Sequence, residues 1–200
     1  MYKKTKMYKL ALGITTLITS LTLLIPQQII HAAEDEENDM NTTATVTFDA
    51  GELTLPEVPA FDFGTQAIAD NVQTYSAANA SNSIQISDLR GSTEGWTLNV
   101  SLSVFTQDEQ ETLQDSYITI KDAKIEALNG TKGTLTNVAD ELKIDSDSSE
   151  TNVFSTGQES GGGLWQISWT ADKATLTVFP GTVLTGTSTA ELTWTLVTGP

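Results

Sequence analysis

The sequence predicts an all-β fold: an antiparallel sandwich or barrel of many short strands, in a single domain. Three observations carry that expectation. From Gly95 to Phe105, Trp96, Leu98, Val100, Leu102 and Val104 alternate with Thr97, Asn99, Ser101 and Ser103. Strict period two over this length is the mark of a strand with one buried and one wet face. Shorter runs repeat the pattern along the chain. Between them lie turn signals such as Asn129-Gly130, Lys132-Gly133, Gly161 to Gly163 and Pro180-Gly181, while helical periodicity is weak throughout.

Taken in order, the chain opens on Lys3, Lys4, Lys6 and Lys9, followed by an apolar run from Leu10 to Ile25 that Pro26 ends. The run is short for a membrane span, which needs ~20 residues. Small residues at Ala32 and Ala33 offer a cleavage site, so residues 1–33 read as a secretory signal peptide. An uncleaved N-terminal anchor is the lesser alternative. Residues 34–41 carry five carboxylates and almost nothing apolar, and read as a disordered acidic leader. The β domain is expected over 42–200. Its opening run sets Ala44, Val46 and Phe48 against Thr43, Thr45 and Thr47. Leu53 and Leu55, then Ile84 and Ile86, precede the long central strand. After it come Trp165, Ile167 and Trp169, then Ala174, Leu176 and Val178, and last Ala190, Leu192, Trp194 and Leu196. Only Gln107 to Gln114 and Asn137 to Lys143 read as a turn or two of helix.

Charge and composition exclude several functions. Of the 200 residues, 26 are acidic and ten basic, a formal net charge of −16. Removal of residues 1–33 takes four of the ten basic residues and none of the acids, which moves the charge to −20. Nucleic acid and anionic lipid would be repelled by such a chain. There is no cysteine, and the single histidine, His31, lies inside the signal. Thiol chemistry, disulfides and Ser-His-Asp arrangements are therefore out of reach. An exported chain without cysteine fits bacteria that lack an oxidising periplasm. The acids cluster in the leader and in loops (Asp108 to Glu111, Asp145 to Glu150), away from the apolar strand positions where a raised carboxyl pKa would arise. The chain is expected not to be an enzyme. Asp145, Asp147 and Glu150 are spaced as alternate oxygen ligands but lack the glycine and distal glutamate of a calcium loop. A polar hairpin tip is the reading preferred there, with no metal and no cofactor.

Two of the four tryptophans stand in the same tripeptide, Trp96-Thr97-Leu98 and Trp194-Thr195-Leu196, 98 residues apart. With the export signal, the Thr-rich opening at 43–48, the Gly51-to-Pro59 stretch and Phe63-Gly64, the chain resembles the WxL-domain surface proteins of low-GC Gram-positive bacteria. It is similar to the short members, signal plus domain. The resemblance implies an exported cell-surface protein, attached non-covalently to the peptidoglycan of the cell wall. It also implies membrane-anchored WxL-interacting proteins and other surface proteins as partners. The candidate binding residues are thus Trp96, Thr97, Leu98, Trp194, Thr195 and Leu196, for wall or partner. The alternative function is that of a structural subunit docking a WxL-interacting protein without touching the wall. Both tryptophans also lie in apolar stripes, which favours a core role, while Thr97, Asn99, Thr193 and Thr195 offer hydroxyls and an amide to a sugar.

Overall fold

A computed structural model describes residues 40–78, 83–131, 135 and 139–199. Among them are thirteen strands: β1 Leu53–Glu57, β2 Gln73–Ser76, β3 Ser83–Asp88, β4 Trp96–Leu102, β5 Phe105–Gln107, β6 Gln110–Thr112, β7 Tyr117–Lys121, β8 Lys124–Leu128, β9 Glu141–Asp145, β10 Thr151–Ser155, β11 Gly163–Ser168, β12 Ala174–Val178 and β13 Leu192–Thr198. No α-helix occurs among the described residues, only one 3-10 turn at Ala171–Lys173.

The strands form a sandwich rather than a closed barrel, all pairs running antiparallel. One sheet has the order β1-β3-β11-β8, a second β10-β4-β13 and a third β2-β12-β7-β9, with β5-β6 as a separate hairpin. A parallel bridge from Leu102 to Ser146 links the second and third sheets. The first sheet lies opposite the third: Ile84, Ile167 and Trp169 line a small interior gap with Ile120 and Leu142. Trp96, Phe154, Ile84, Ile86, Leu98, Val100 and Ile144 are wholly or almost wholly buried. The alternation seen in the sequence is the cause, since each strand turns one row of apolar side chains inward.

Four local expectations are corrected. Ala44, Val46 and Phe48 do not form a strand: residues 40–52 lack regular structure and are exposed, Phe48 at 85% and Val46 at 72%. Alternation alone makes no strand when no neighbour takes up its hydrogen bonds. Gln107 to Gln114 is not helical. Asp108 and Glu109 both take positive φ (49° and 67°), the two-residue turn of a tight hairpin that pairs β5 with β6. Asn137 to Lys143, in its described part, leads into strand β9, where buried Leu142 and Ile144 alternate with exposed Glu141, Lys143 and Asp145. The run drawn from Gly95 to Phe105 also breaks at Ser103–Val104, where the Ser103 N–H donates to Glu191 O at 2.9 Å.

Asn129 and Gly130 turn the chain at the end of β8 as expected, with φ of 52° and 77°. In a fifth correction, Asp145 to Glu150, expected as a hairpin tip, instead joins two sheets, because β9 pairs with β7 and β10 with β4. Lys132-Gly133, the signal at 1–33 and most of the acidic leader lie outside the described residues.

Candidate functional site

The fold brings the two Trp-Thr-Leu copies side by side. β13 pairs with β4 over seven residues, with Leu196 opposite Leu98, Trp194 opposite Val100 and Thr198 opposite Trp96. Directly opposed residues share a face. Trp96, Leu98, Leu196 and Trp194 therefore form one inner row. Thr97, Asn99, Ser101, Thr193 and Thr195 point the other way, joined by Asn152 and Ser155 of β10, which sit opposite Asn99 and Thr97.

The inner row belongs to the core. Trp96 and Leu98 have no exposed surface, so in this conformation neither can meet a ligand. Trp96 packs on Phe154 at 5.4 Å between ring centroids. Its indole N–H donates to Gly161 O at 3.1 Å, and the Trp165 indole donates to the same oxygen at 3.0 Å. Gly161 permits this approach because it has φ +90° and no side chain; a Cβ there would lie 2.6 Å from the Trp96 indole nitrogen. The glycine run thus brings backbone close to two tryptophans. Gly95 plays a similar part, since a Cβ on it would stand 2.2 Å from Thr156 O. Thr156 in turn accepts the Trp96 backbone N–H on its hydroxyl at 2.9 Å.

Trp194 and Leu196 are only half-buried. The Trp194 indole N–H is shielded from solvent yet has no acceptor among the described residues. The same tripeptide therefore occupies two different environments.

The outer face is polar and hydrogen-bonded along its surface. Asn152 Nδ2 donates to Asn99 Oδ1 at 3.3 Å, and Asn99 Nδ2 to Glu150 Oε2 at 3.3 Å. Thr97 is nearly buried and donates its hydroxyl to Gly199 O at 3.0 Å. Thr195 is half-buried and Thr193 exposed.

Arg90 ties the ends of both strands together, which the sequence did not signal. Its guanidinium grips Asp88 in bidentate fashion at 2.9 and 2.8 Å, then donates to Glu94 O, Gly95 O and Thr198 Oγ1 at 3.0 to 3.1 Å. Those hydrogen bonds hold the Asp88 carboxyl below its ordinary value, against the opposing effect of burial, and raise Arg90 above its own. Among the described residues no group of three or more histidine or acidic side chains is placed to hold a metal ion.

At the far end of β4 a groove of about 700 Å³ opens between loops 61–71 and 179–190. Leu102, Phe105, Ile118, Leu176 and Val178 line its apolar part, and Asp62 is the one charged residue among its lining. Sequence reasoning missed this groove, because its walls are loops far apart in the chain.

Residues 26–200 match the family described as WxL domain, surface cell wall-binding. The chain belongs to the WxL family. The two WxL tripeptides are thus adjacent parts of one sheet in this member, and attachment to the cell wall is the function its family carries. Such a domain works at the cell surface, and no helix among the described residues is long and apolar enough to cross a membrane. No curated protein and no solved structure matches this WxL chain significantly.

Proposed function

We propose that this WxL domain attaches to the wall by binding peptidoglycan directly and non-covalently, without catalysis, as one component of a surface complex. The observation that carries the reading is the pairing of β4 with β13. It gathers Asn99, Ser101, Thr193 and Thr195 on one outward face with Asn152 and Ser155 of β10. Hydroxyl and amide groups on this polar surface suit the hydroxyls and acetamido groups of a glycan and the amides of its stem peptides. Within the motif the assignment narrows. Thr195 contacts the ligand, Trp96 and Leu98 support the sheet from beneath, and Thr97, Trp194 and Leu196 shape it.

Charge sets the range of the interaction. A chain near −20 is repelled by the anionic polymers of a Gram-positive wall over a Debye length of about 8 Å at physiological salt. Attachment then rests on short-range hydrogen bonds, and added salt leaves it intact or strengthens it.

Sedimentation with bare peptidoglycan sacculi tests the reading. Wild type pellets, and the double variant Asn152→Ala, Thr195→Ala binds about thirtyfold more weakly, since two hydrogen bonds at ~1 kcal/mol each set that scale. Both proteins melt at nearly the same temperature. A wild-type protein that stays in solution with bare sacculi refutes direct peptidoglycan binding. The function would then pass to a docked partner protein, for which β13 is suited: no described strand pairs with its outer edge, and Val197 on it is 41% exposed.

A further inference from the structure

Val46 and Phe48 are large apolar side chains on a strand-patterned segment, and the fold leaves both exposed. At the other end of the β-sandwich the groove of about 700 Å³ leaves apolar core surface open. That volume lies in the range of ~300–1,000 Å³ typical of sites that hold a ligand. From these two features we propose that the segment Thr42–Phe48 of one copy fills the groove of the next, so that the chain assembles head to tail.

Chain reach keeps the two large side chains, Val46 and Phe48, away from the groove of their own chain. The segment leaves the fold at Gly51, whose N–H donates to Leu89 O at 2.9 Å, while the Leu89 N–H donates to Glu52 O at 3.0 Å. Leu89 directly follows Asp88, which pairs with Gly163 at the start of β11. The groove lies at the opposite end of β11: Trp169, just past Ser168, stacks at 6.2 Å on Phe61, which lines it. Six residues of strand separate the two ends by ~20 Å. Phe48 is three residues from Gly51 and reaches ~10 Å, and Val46, five residues away, ~17 Å. Neither enters the groove of its own chain. A second copy has no such restriction.

Charge identifies the occupant. In a protein this acidic, most surfaces of a second copy repel each other. Thr42–Phe48 (TTATVTF) carries no charge, and the groove lining carries only Asp62, whose carboxylate accepts the Gly64 N–H at 2.8 Å. Asp39 before the segment and Asp49 after it bound the neutral stretch at about the length of one strand. An extended segment of this kind gives its backbone hydrogen bonds to loop or strand edges and its alternate side chains, Ala44, Val46 and Phe48, to the apolar floor. Val46 and Phe48 join the fold at one end of the sandwich and the groove opens at the other, so the contact is heterologous and propagates head to tail.

Such assembly goes beyond wall attachment and is read first without wall material. Protein released from the cell surface is sized by light scattering over a range of concentration and salt. Wild type shows a mass above that of the monomer, rising with concentration and with added salt as repulsion is screened. Val46→Asp with Phe48→Asp is monomeric, and so is Ile68→Asp with Leu184→Asp. All four positions are at least 38% exposed, so both variants stay folded. Mixed, the two variants form a one-to-one dimer that grows no further, because one donor and one groove remain between them. A wild type that is monomeric at every concentration overturns the proposal, as does a mixture that fails to dimerise. Loss of sacculus binding in the groove variant of a protein that never assembles also overturns it, and gives the groove to the glycan.

Discussion

Replacing each motif tryptophan by phenylalanine separates two environments that the repeated tripeptide makes look alike. At Trp96 the change removes an indole hydrogen bond to Gly161 O, worth ~1 kcal/mol. That oxygen keeps the Trp165 indole at 3.0 Å, so no buried acceptor is stranded. The smaller ring leaves roughly 40 Å³ empty, which at ~24 cal/mol per Å³ adds ~1 kcal/mol. Trp96→Phe should therefore cost ~2 kcal/mol, a fall in Tm of about 4–8 °C for a domain of this size. At Trp194 the indole N–H is buried without an acceptor among the described residues, a state that itself costs ~1–3 kcal/mol. Removing it offsets the ring area lost from a half-buried side chain. Trp194→Phe should then be neutral within ~0.5 kcal/mol or stabilising. Urea denaturation followed by circular dichroism measures both, with unchanged slopes as the check that the denatured state is the same. Equal losses at the two positions would refute the reasoning, since they would mean that the Trp194 N–H is satisfied in the folded protein.

The same contacts lead to three further outcomes. Trp96→Ala, which empties a fully buried site, should cost ~3–5 kcal/mol and lower sacculus binding only through loss of the fold; a variant with an intact melt and no binding would make Trp96 a contact residue. Gly161→Ala should destabilise by at least ~2 kcal/mol and shift tryptophan fluorescence, because the added carbon meets the Trp96 indole at 2.6 Å on a backbone of φ +90°. A normal melt and spectrum would show that the loop relaxes freely. The Asp88–Arg90 pair makes a prediction in pH. The Asp88 pKa is lower in the folded state than in the unfolded one, so its stabilisation is complete above the unfolded value near 3.8 and is lost as pH falls through the folded one. Wild type and Asp88→Asn should differ by ~2–3 kcal/mol at neutral pH, the scale of hydrogen bonds to charged groups, and converge in acid below about pH 4. A gap that persists into strong acid would assign the stabilisation to packing instead of charge.

Pairing the two WxL segments gives a physical reason for the repeat. Each copy supplies an apolar row to the interior and a polar row to the exterior, and antiparallel register places leucine against leucine. A polar outer surface several side chains wide results, which neither strand could make alone. Arg90 closes one end of this sheet by reaching Gly95 before the first tryptophan and Thr198 after the second leucine. The groove lies at the other end, where Leu102 and Leu192 line it.

The sequence by itself determined the all-β class and most of the strands, because period-two alternation is written into Trp96 to Leu102, Trp165 to Trp169 and Ala174 to Val178 whatever their partners. It equally rules out thiol chemistry, since the composition holds no cysteine. Family membership was legible too, from the repeated tripeptide and the segments around it. How deeply each repeat is buried came from the tertiary structure alone. Burial depends on what lies across the sheet, so identical tripeptides give a fully buried Trp96 and a half-buried Trp194. Partnership likewise made Glu141–Asp145 a strand despite its charges and left Val46 and Phe48 without one despite their alternation. The groove and the Arg90 clamp join residues that lie more than a hundred positions apart, and nothing local marks such places. Local pattern sets which face of a strand seeks burial; long-range pairing decides whether it finds it.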